Sequence, residues 1–272
     1  MKLQDLLEGI YPDKIPSLYQ QWDITSINHD SRKVTPMSLF VARKGLLADG
    51  AQFIPKAIEK GAKVIVTEKG SCDGSSDEHV LYLQVHDIQK FLKDLALRFY
   101  GNPSENIHTI GVTGTNGKTT VVYLIESILH EAEQSCGVIG TVNYRIGERI
   151  LPAQNTTPGL LDNQRLFYQL RSEGIDYCIM EVSSHALDQK RVELIDFKTA
   201  VFTNLTSDHL DYHKTREKYF QAKASLFTGL SSDAVSIINT DDVYGKKLLS
   251  IIELKILKYG IDQEADVMAR DI

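Results

Sequence analysis

With 272 residues the chain exceeds one small domain and fits two of middle size. Hydrophobic residues at 42% and charged residues at 24% are ordinary for a globular protein that can bury a sizeable core. A formal net charge of -6 excludes a global basic field for nucleic acid or anionic lipid, while a local basic pocket for phosphates remains compatible with it.

The first residues, Met1-Lys2-Leu3-Gln4-Asp5, open an amphipathic helix rather than a signal peptide. Residues 38–42 form a short apolar run. Residues 53–61 read as a helix with Phe53, Ile54, Ala57 and Ile58 on one stripe. Two strand-like runs follow, Val64-Ile65-Val66 and Val80-Leu81-Tyr82-Leu83. Residues 87–100 place Ile88, Phe91, Leu92, Leu95, Ala96 and Phe99 at helical spacing, with Asp87 as N-cap. Gly101-Asn102-Pro103-Ser104 breaks the pattern and marks a boundary, which gives domains of 1–100 and 101–272.

A second alternating series begins there. Strands are expected at 107–112, 136–142, 177–182, 199–203, 234–239 and 255–259, and helices at 118–134, 160–173, 215–227 and 241–252. Such alternation predicts an α/β protein with a mostly parallel sheet and ligands at the carboxyl ends of its strands. The series stops without a visible closing helix, so the second domain is expected to be incomplete.

Cys72, Cys136 and Cys178 form neither a CxxC pair nor a zinc pattern, and the last two lie in or beside apolar stretches as small core residues. Sparse, odd cysteine usage fits a reducing compartment, and no apolar run is long enough to span a bilayer. A cytoplasmic protein without membrane or nucleic-acid partners is the expectation.

Gly111-Val112-Thr113-Gly114-Thr115-Asn116-Gly117-Lys118-Thr119 joins a strand to a helix. Gly114 and Gly117 let the backbone turn with positive φ and approach an anion. The N–H groups of Gly114, Thr115, Asn116, Gly117 and the helix start through Thr120 would then face phosphates. Lys118 would neutralise β/γ oxygens and Thr119 would bind magnesium, so ATP and Mg2+ are the expected cofactors. The common pattern G-x-x-x-x-G-K-[ST] wants glycine at 112, and here it stands one residue earlier.

Tyr177-Cys178-Ile179-Met180-Glu181 is an apolar strand ending in a carboxylate, suited to magnesium beside a phosphate loop or simply a solvated strand-end acid. Ser183-Ser184-His185 follows it. Ser207-Asp208-His209-Leu210-Asp211-Tyr212-His213 resembles metal-ligand spacing, or a loop in which Asp208 or Asp211 caps a helix. Zinc is the poorer choice, because no cysteine is near and the other donors are hard oxygens.

In order along the chain, Gly114-Thr115-Asn116-Gly117-Lys118-Thr119, Asn155-Thr156-Thr157-Pro158, Glu181-Val182-Ser183-Ser184-His185 and Asp208-His209-Leu210-Asp211-Tyr212-His213 resemble the motifs of the Mur ligases. The resemblance runs from Asp30-Ser31-Arg32 to Asn239-Thr240-Asp241-Asp242. It implies a Rossmann-like UDP-binding N-terminal domain followed by a phosphate-loop ATPase-type domain. It also implies ATP-dependent ligation of a third amino acid, lysine or meso-diaminopimelate, to UDP-N-acetylmuramoyl-L-alanyl-D-glutamate through an acyl phosphate, in peptidoglycan synthesis.

Residue by residue, the resemblance implies catalytic roles for Lys118, Glu181, His209 and Lys223. Thr119, Glu181, His209 and Lys223 would form the metal set, with Lys223 as a carbamate that replaces a cation by an anionic oxygen ligand. Without the family, Lys223 is only a basic residue on the helix at 215–227. Asn155, Thr156, Thr157, Ser183, Gln189 and Arg191 match positions that hold the muramoyl peptide. His29, Ser31 and the segment Leu46-Leu47-Ala48 match the UDP pocket, and Asn239 and Asp242 are expected near the nucleotide. Complete family members have a third domain that closes over ATP, so this chain is expected to bind nucleotide and ligate poorly by itself, as a monomer. Two alternatives stand beside this reading: a ligase extending folate with glutamate, and a non-catalytic nucleotide-binding protein derived from the ligase.

Overall fold

A computed structural model describes residues 1–45, 49–70, 79–253 and 255–271. The chain divides into two compact units, Met1–Asn102 and Pro103–Ile272.

The first unit runs α1 (Leu3–Leu7), α2 (Ser17–Gln20), β1 (Ser26–Asn28), β2 (Ser38–Val41), α3 (Ile54–Glu59), β3 (Ala62–Glu68), β4 (Leu81–Val85) and α4 (Ile88–Tyr100). Its four strands pair in parallel in the order β1-β2-β3-β4. Every residue of β2 is buried, as both faces of a parallel sheet require. In α4 the Asp87 side chain accepts from the amides of Gln89 and Lys90, and Gly101 ends the helix at φ +72°. Ile88, Phe91, Leu92, Leu95 and Ala96 are buried as their spacing predicts. Phe99 is only half-buried, and Tyr100 takes its place on the inner face.

The expected helix at 53–61 begins later. Asp49 caps a 3-10 turn over Gly50–Phe53, so Phe53 precedes α3 and stays 39% exposed while Ile54 and Ala57 are buried.

The second unit runs β5 (His108–Thr113), α5 (Lys118–Glu131), β6 (Cys136–Ile139), β7 (Asn143–Ile146), β8 (Arg149–Pro152), α6 (Leu160–Ser172), β9 (Tyr177–Glu181), α7 (Ser184–Asp188), β10 (Phe197–Phe202), α8 (Leu210–His213), α9 (Arg216–Thr228), β11 (Val235–Asn239), α10 (Val243–Leu249), β12 (Lys255–Gly260) and β13 (Val267–Met268). The sheet order is β13-β12-β11-β10-β5-β9-β6-β7-β8. Pairing is parallel from β13 to β6, and β7 and β8 add an antiparallel edge. The chain moves from β5 to β6, returns to β9, and then crosses to β10 on the other side of β5. The carboxyl end of β5 is therefore a topological switch point, where ligands of open α/β sheets gather.

One face of the sheet carries a large core containing Phe167, Met180, Phe202, Phe220 and Phe227. The other packs Val112, Val138, Ile179 and Val201 against Val122 of α5. Cys178 belongs to the first core and Cys136 is half-buried; Cys72 lies outside the described residues.

The strand expected at 136–142 stops at Ile139 because the next two residues turn to meet the Glu181 carboxylate. The β7–β8 hairpin was not expected from the sequence; Gly147 turns it at φ +53°. The helix expected at 241–252 is confined to α10. Asp242 caps it, while Asp241 is drawn away to accept the amides of Ile261, Asp262 and Gln263.

Candidate active site

The phosphate loop proper is Gly114 to Gly117, since Gly111, Val112 and Thr113 belong to β5. The early glycine serves strand packing: a Cβ on Gly111 would lie 2.7 Å from the Phe197 ring. Gly114 has φ +151° and its Cβ would meet Thr203 Oγ1 at 1.9 Å, so both conformation and space demand glycine. Gly117, at φ +83° before α5, has open space around its Cβ position and answers only to conformation. Amides at the start of α5 and the helix dipole favour an anion there. Thr120 is exposed in that first turn.

The segment after β10 holds the loop. Thr115 N–H donates to the Asn204 carbonyl at 2.9 Å, and Asn116 N–H to Asn204 Oδ1 at 3.0 Å. Thr203 Oγ1 donates to the Asn116 carbonyl at 2.7 Å, and Thr206 N–H to Thr115 Oγ1 at 3.0 Å. Thr115 Oγ1 also lies 3.1 Å from the Tyr219 hydroxyl. Asn239 donates to the Thr203 carbonyl at 2.8 Å, and Asp242 accepts the Leu205 amide at 3.0 Å. These two residues brace the segment that braces the loop.

Two lysines converge on one carbonyl. Lys118 Nζ donates to the Gly114 and Thr115 carbonyls at 3.0 and 2.8 Å, and Lys223 Nζ donates to the Gly114 carbonyl at 2.7 Å. Burial pushes the Lys118 ammonium down, opposed by the charges of Glu181 and Asp208. Lys223 is 1% exposed, and burial pushes its amine well below the ordinary range. The nearby Lys118 charge adds to that effect and Asp208 opposes it. The Lys223 Nζ sits 4.7 Å above the Tyr219 ring.

Glu181, also 1% exposed, is the focus of the carboxyl edge. Its Oε1 accepts the Thr141 amide at 2.8 Å. Its Oε2 accepts the hydroxyls of Thr119 at 2.9 Å and Thr141 at 3.2 Å. Gly140 leaves room for the carboxylate, because a Cβ there would lie 2.5 Å from Oε1. Sequence reasoning missed both Gly140 and Thr141; a glycine closing the apolar run of β6 was the available signal.

Of the residues expected to bind the peptide, all but Asn155 are linked by hydrogen bonds around Glu181. Thr156 Oγ1 lies 3.0 Å from Thr141 Oγ1. Thr157 Oγ1 donates to the Glu181 carbonyl at 2.8 Å and accepts the Ser183 amide at 3.0 Å. Arg191 donates through Nε and Nη2 to Gln189 Oε1 at 3.0 and 2.7 Å, and through Nη1 to the Thr157 carbonyl at 3.0 Å. Tyr144, not singled out in the sequence, clamps Asn155: its hydroxyl accepts the Asn155 amide at 3.1 Å and donates to its carbonyl at 2.7 Å.

His209 adopts φ +52° ahead of α8. Neither Asp208 nor Asp211 caps a helix. Asp208 accepts the His209 amide at 2.8 Å, and Thr215 caps α9. His209 meets His185 edge to face at 4.8 Å and Tyr219 at 6.1 Å between ring centres. His213 Nε2 lies 2.9 Å from Ser184 Oγ. Burial pushes both His185 and His213 down, and the neighbouring histidines add to the shift.

Of the expected metal set, Thr119 and Glu181 are hydrogen-bonded to each other, while Lys223 and His209 both pack against Tyr219. Among the described residues no cluster of three or more His, Cys, Asp or Glu side chains could hold a metal. The buried carboxylate and its hydroxyl neighbours nevertheless have the hard-oxygen chemistry that magnesium requires. In this structure Lys223 Nζ is a hydrogen-bond donor to the Gly114 carbonyl.

In the first unit Ser31 is buried in the 3-10 turn Ser31–Lys33, directly after His29 and Asp30. Hydrogen bonding from the Arg32 side chain holds the Asp30 carboxyl down to about 2. The segment Leu46-Leu47-Ala48 lies outside the described residues.

Residues 112–272 match the Mur ligase middle domain, and residues 23–100 match the Mur ligase family, catalytic domain. A UDP-N-acetylmuramoyl-L-alanyl-D-glutamate--2,6-diaminopimelate ligase of Clostridium tetani is 44% identical over 250 residues, 92% of this chain and 51% of that protein. The ligase of the same name from Alkaliphilus metalliredigens is 43% identical over 277 residues, 100% of this chain and 54% of that protein. A solved structure of such a ligase superposes with a TM-score of 0.76 at 29% identity, covering 100% of this chain and 55% of the other. MurF from Acinetobacter baumannii, 22% identical with a TM-score of 0.71, shares the fold. The chain thus spans about half the length of the curated relatives it matches, and among its described residues no helix is long and apolar enough to cross a membrane. With both units matched and the motifs of the carboxyl edge in one network, the chain belongs to the Mur ligase family.

Proposed function

We propose that these residues bind ATP, magnesium and a UDP-linked muramoyl dipeptide for an ATP-dependent amide ligase of peptidoglycan synthesis. The reaction joins the dipeptide to diaminopimelate, the amino acid in the names of the relatives. The observation that carries this reading is the Glu181 carboxylate, which bonds Thr119 of the phosphate-loop helix and Thr141 beside the peptide network.

In the proposed chemistry a carboxylate oxygen of the dipeptide attacks the γ-phosphorus of ATP, giving an acyl phosphate and ADP. The amine of the incoming amino acid then displaces phosphate and leaves an amide bond. The loop amides and Lys118 hold the phosphates, and phosphate charge favours the ammonium form against the effect of burial. Asn155, Thr156, Thr157, Ser183, Gln189 and Arg191 orient the peptide, with Arg191 suited to an anionic group. His29 and Ser31 take part in holding the UDP end. Magnesium, held through Thr119, Glu181 and His209, would neutralise developing charge on the transferred phosphoryl group. Burial favours the neutral Lys223 amine, the form that reacts with carbon dioxide, and the resulting carbamate would add an anionic oxygen to the metal set.

The test is phosphate release with ATP, magnesium and UDP-N-acetylmuramoyl-L-alanyl-D-glutamate, with diaminopimelate or lysine as acceptor, beside direct titration of each ligand. Saturable binding of both ATP and the UDP-dipeptide supports the reading. Failure to bind the UDP-dipeptide while ATP binds would leave a nucleotide-binding protein of another kind.

A further inference from the structure

The Glu181 carboxylate is presented to a cation in a blocked form. Its Oε2 accepts the hydroxyls of both Thr119 and Thr141, which fill the two lone-pair directions of that oxygen. A cation can engage Oε2 only when one hydroxyl turns away. Thr141 has a single hydroxyl hydrogen, and it points to Glu181. In the 3.0 Å contact between Thr141 Oγ1 and Thr156 Oγ1, Thr156 is therefore the donor. The three groups form a directed chain, Thr156 to Thr141 to Glu181, in which each donation polarises the next.

We propose that Thr141 is a positioning residue through which muramoyl-peptide binding at Thr156 releases the Glu181 carboxylate for the magnesium nucleotide. The inference rests on the assignment of Thr156 to the peptide site. Carboxylates, phosphates and amide carbonyls of a muramoyl peptide are acceptors, so a bound peptide draws the Thr156 hydrogen away from Thr141. Thr141 then loses its donor, and its own donation to Oε2 weakens. The Thr141 amide continues to hold Oε1, so the carboxylate keeps its place while Oε2 becomes available. Gly140 permits this close approach, and Thr141 is itself exposed at the site, within reach of solvent as an alternative partner. Linkage requires the coupling to be reciprocal: magnesium nucleotide must tighten the peptide by the same factor.

The experiment is calorimetric titration of a non-hydrolysable ATP analogue with magnesium, with and without saturating UDP-N-acetylmuramoyl-L-alanyl-D-glutamate. The proteins are the wild type, Thr141→Val and Thr141→Ser. In the wild type the peptide tightens nucleotide binding about fivefold or more, the lower end of ordinary coupling. Thr141→Val keeps the backbone amide and the side-chain size but lacks the hydroxyl. It binds nucleotide without peptide as tightly as the wild type does with peptide, and the peptide then changes little. Thr141→Ser restores wild-type behaviour. A merely structural Thr141 predicts the opposite sign, weaker nucleotide binding in Thr141→Val under both conditions, and that result overturns the proposal. Wild-type coupling retained in Thr141→Val also overturns it, as does a wild type that binds both ligands independently. If the wild type does not bind the peptide at all, the peptide-site assignment fails and the inference falls with it.

Discussion

The two edges of the nine-stranded sheet use charge in opposite ways. At the carboxyl edge Glu181 and Lys223 are each 1% exposed and Lys118 is half-buried, held by hydroxyls, amides and carbonyls. At the amino edge Lys198 pairs with Asp196 at 2.9 Å and Asp233 at 3.2 Å, beside an open cleft of about 410 Å³ lined in part by His108 and Thr199. Solvent-accessible pairs of the second kind contribute little even where half-buried, whereas fully buried charges are costly without a partner. A protein retains the costly arrangement where an anion or cation is to complete it. The helix starting at Lys118 adds its positive dipole end to the carboxyl edge, which accentuates the contrast.

The contrast can be broken most directly by paired substitutions. Lys118→Ala should weaken binding of a non-hydrolysable ATP analogue by about tenfold or more, in line with losing a charged hydrogen bond. Lys198→Ala should leave that binding unchanged and shift the unfolding free energy by less than about 0.5 kcal/mol. Equal losses from the two variants would show that burial at the carboxyl edge has no functional meaning.

The loop glycines separate space from conformation. Gly114→Ala should destabilise by about 2–4 kcal/mol, since it adds a clash with Thr203 to a strained backbone. Gly117→Ala, with open space around it, should cost only about 1–2 kcal/mol of backbone strain. Denaturant melts measure both, and equal costs would mean that Thr203 moves aside freely.

Lys223 adds a pH dependence. Its folded pKa is depressed, so the unfolded state binds the proton more readily between the folded value and the ordinary 10.5. Wild-type stability should therefore rise with pH through that window, and Lys223→Met should flatten the rise. Parallel profiles for the two proteins would contradict burial as the cause.

The smallest effect is in the first unit. The Asp30 carboxyl is held to about 2 against an ordinary value of 3.8, so its stabilisation is present above 3.8 and lost as pH falls towards 2. Asp30→Asn should remove a small part of the acid-induced loss, read from denaturant melts at pH 5 and pH 2.5. The effect is small because the Arg32 partner is exposed.

Local pattern carried much of the fold. Asp87, the spacing from Ile88 to Leu95, and Gly101 specify α4 without reference to anything distant. The strand–loop–helix context of the phosphate loop was equally plain. The hairpin of β7 and β8 was not legible, because the buried alternation of β7 lasts only four residues and β8 at the sheet edge has no buried residue. Nor was the early end of β6, which depends on a carboxylate forty residues away.

The alternation of strands and helices, the glycine–lysine–threonine loop and each later motif rest on neighbours within a few positions and are readable along the chain. Packing across the sheet is what makes Gly111 fit a strand, buries Lys223 against the Gly114 carbonyl and sets Thr141 between Glu181 and Thr156. Those facts depend on parallel strands bringing distant segments to one edge, where burial and hydrogen bonding set the chemistry that residue type alone leaves open.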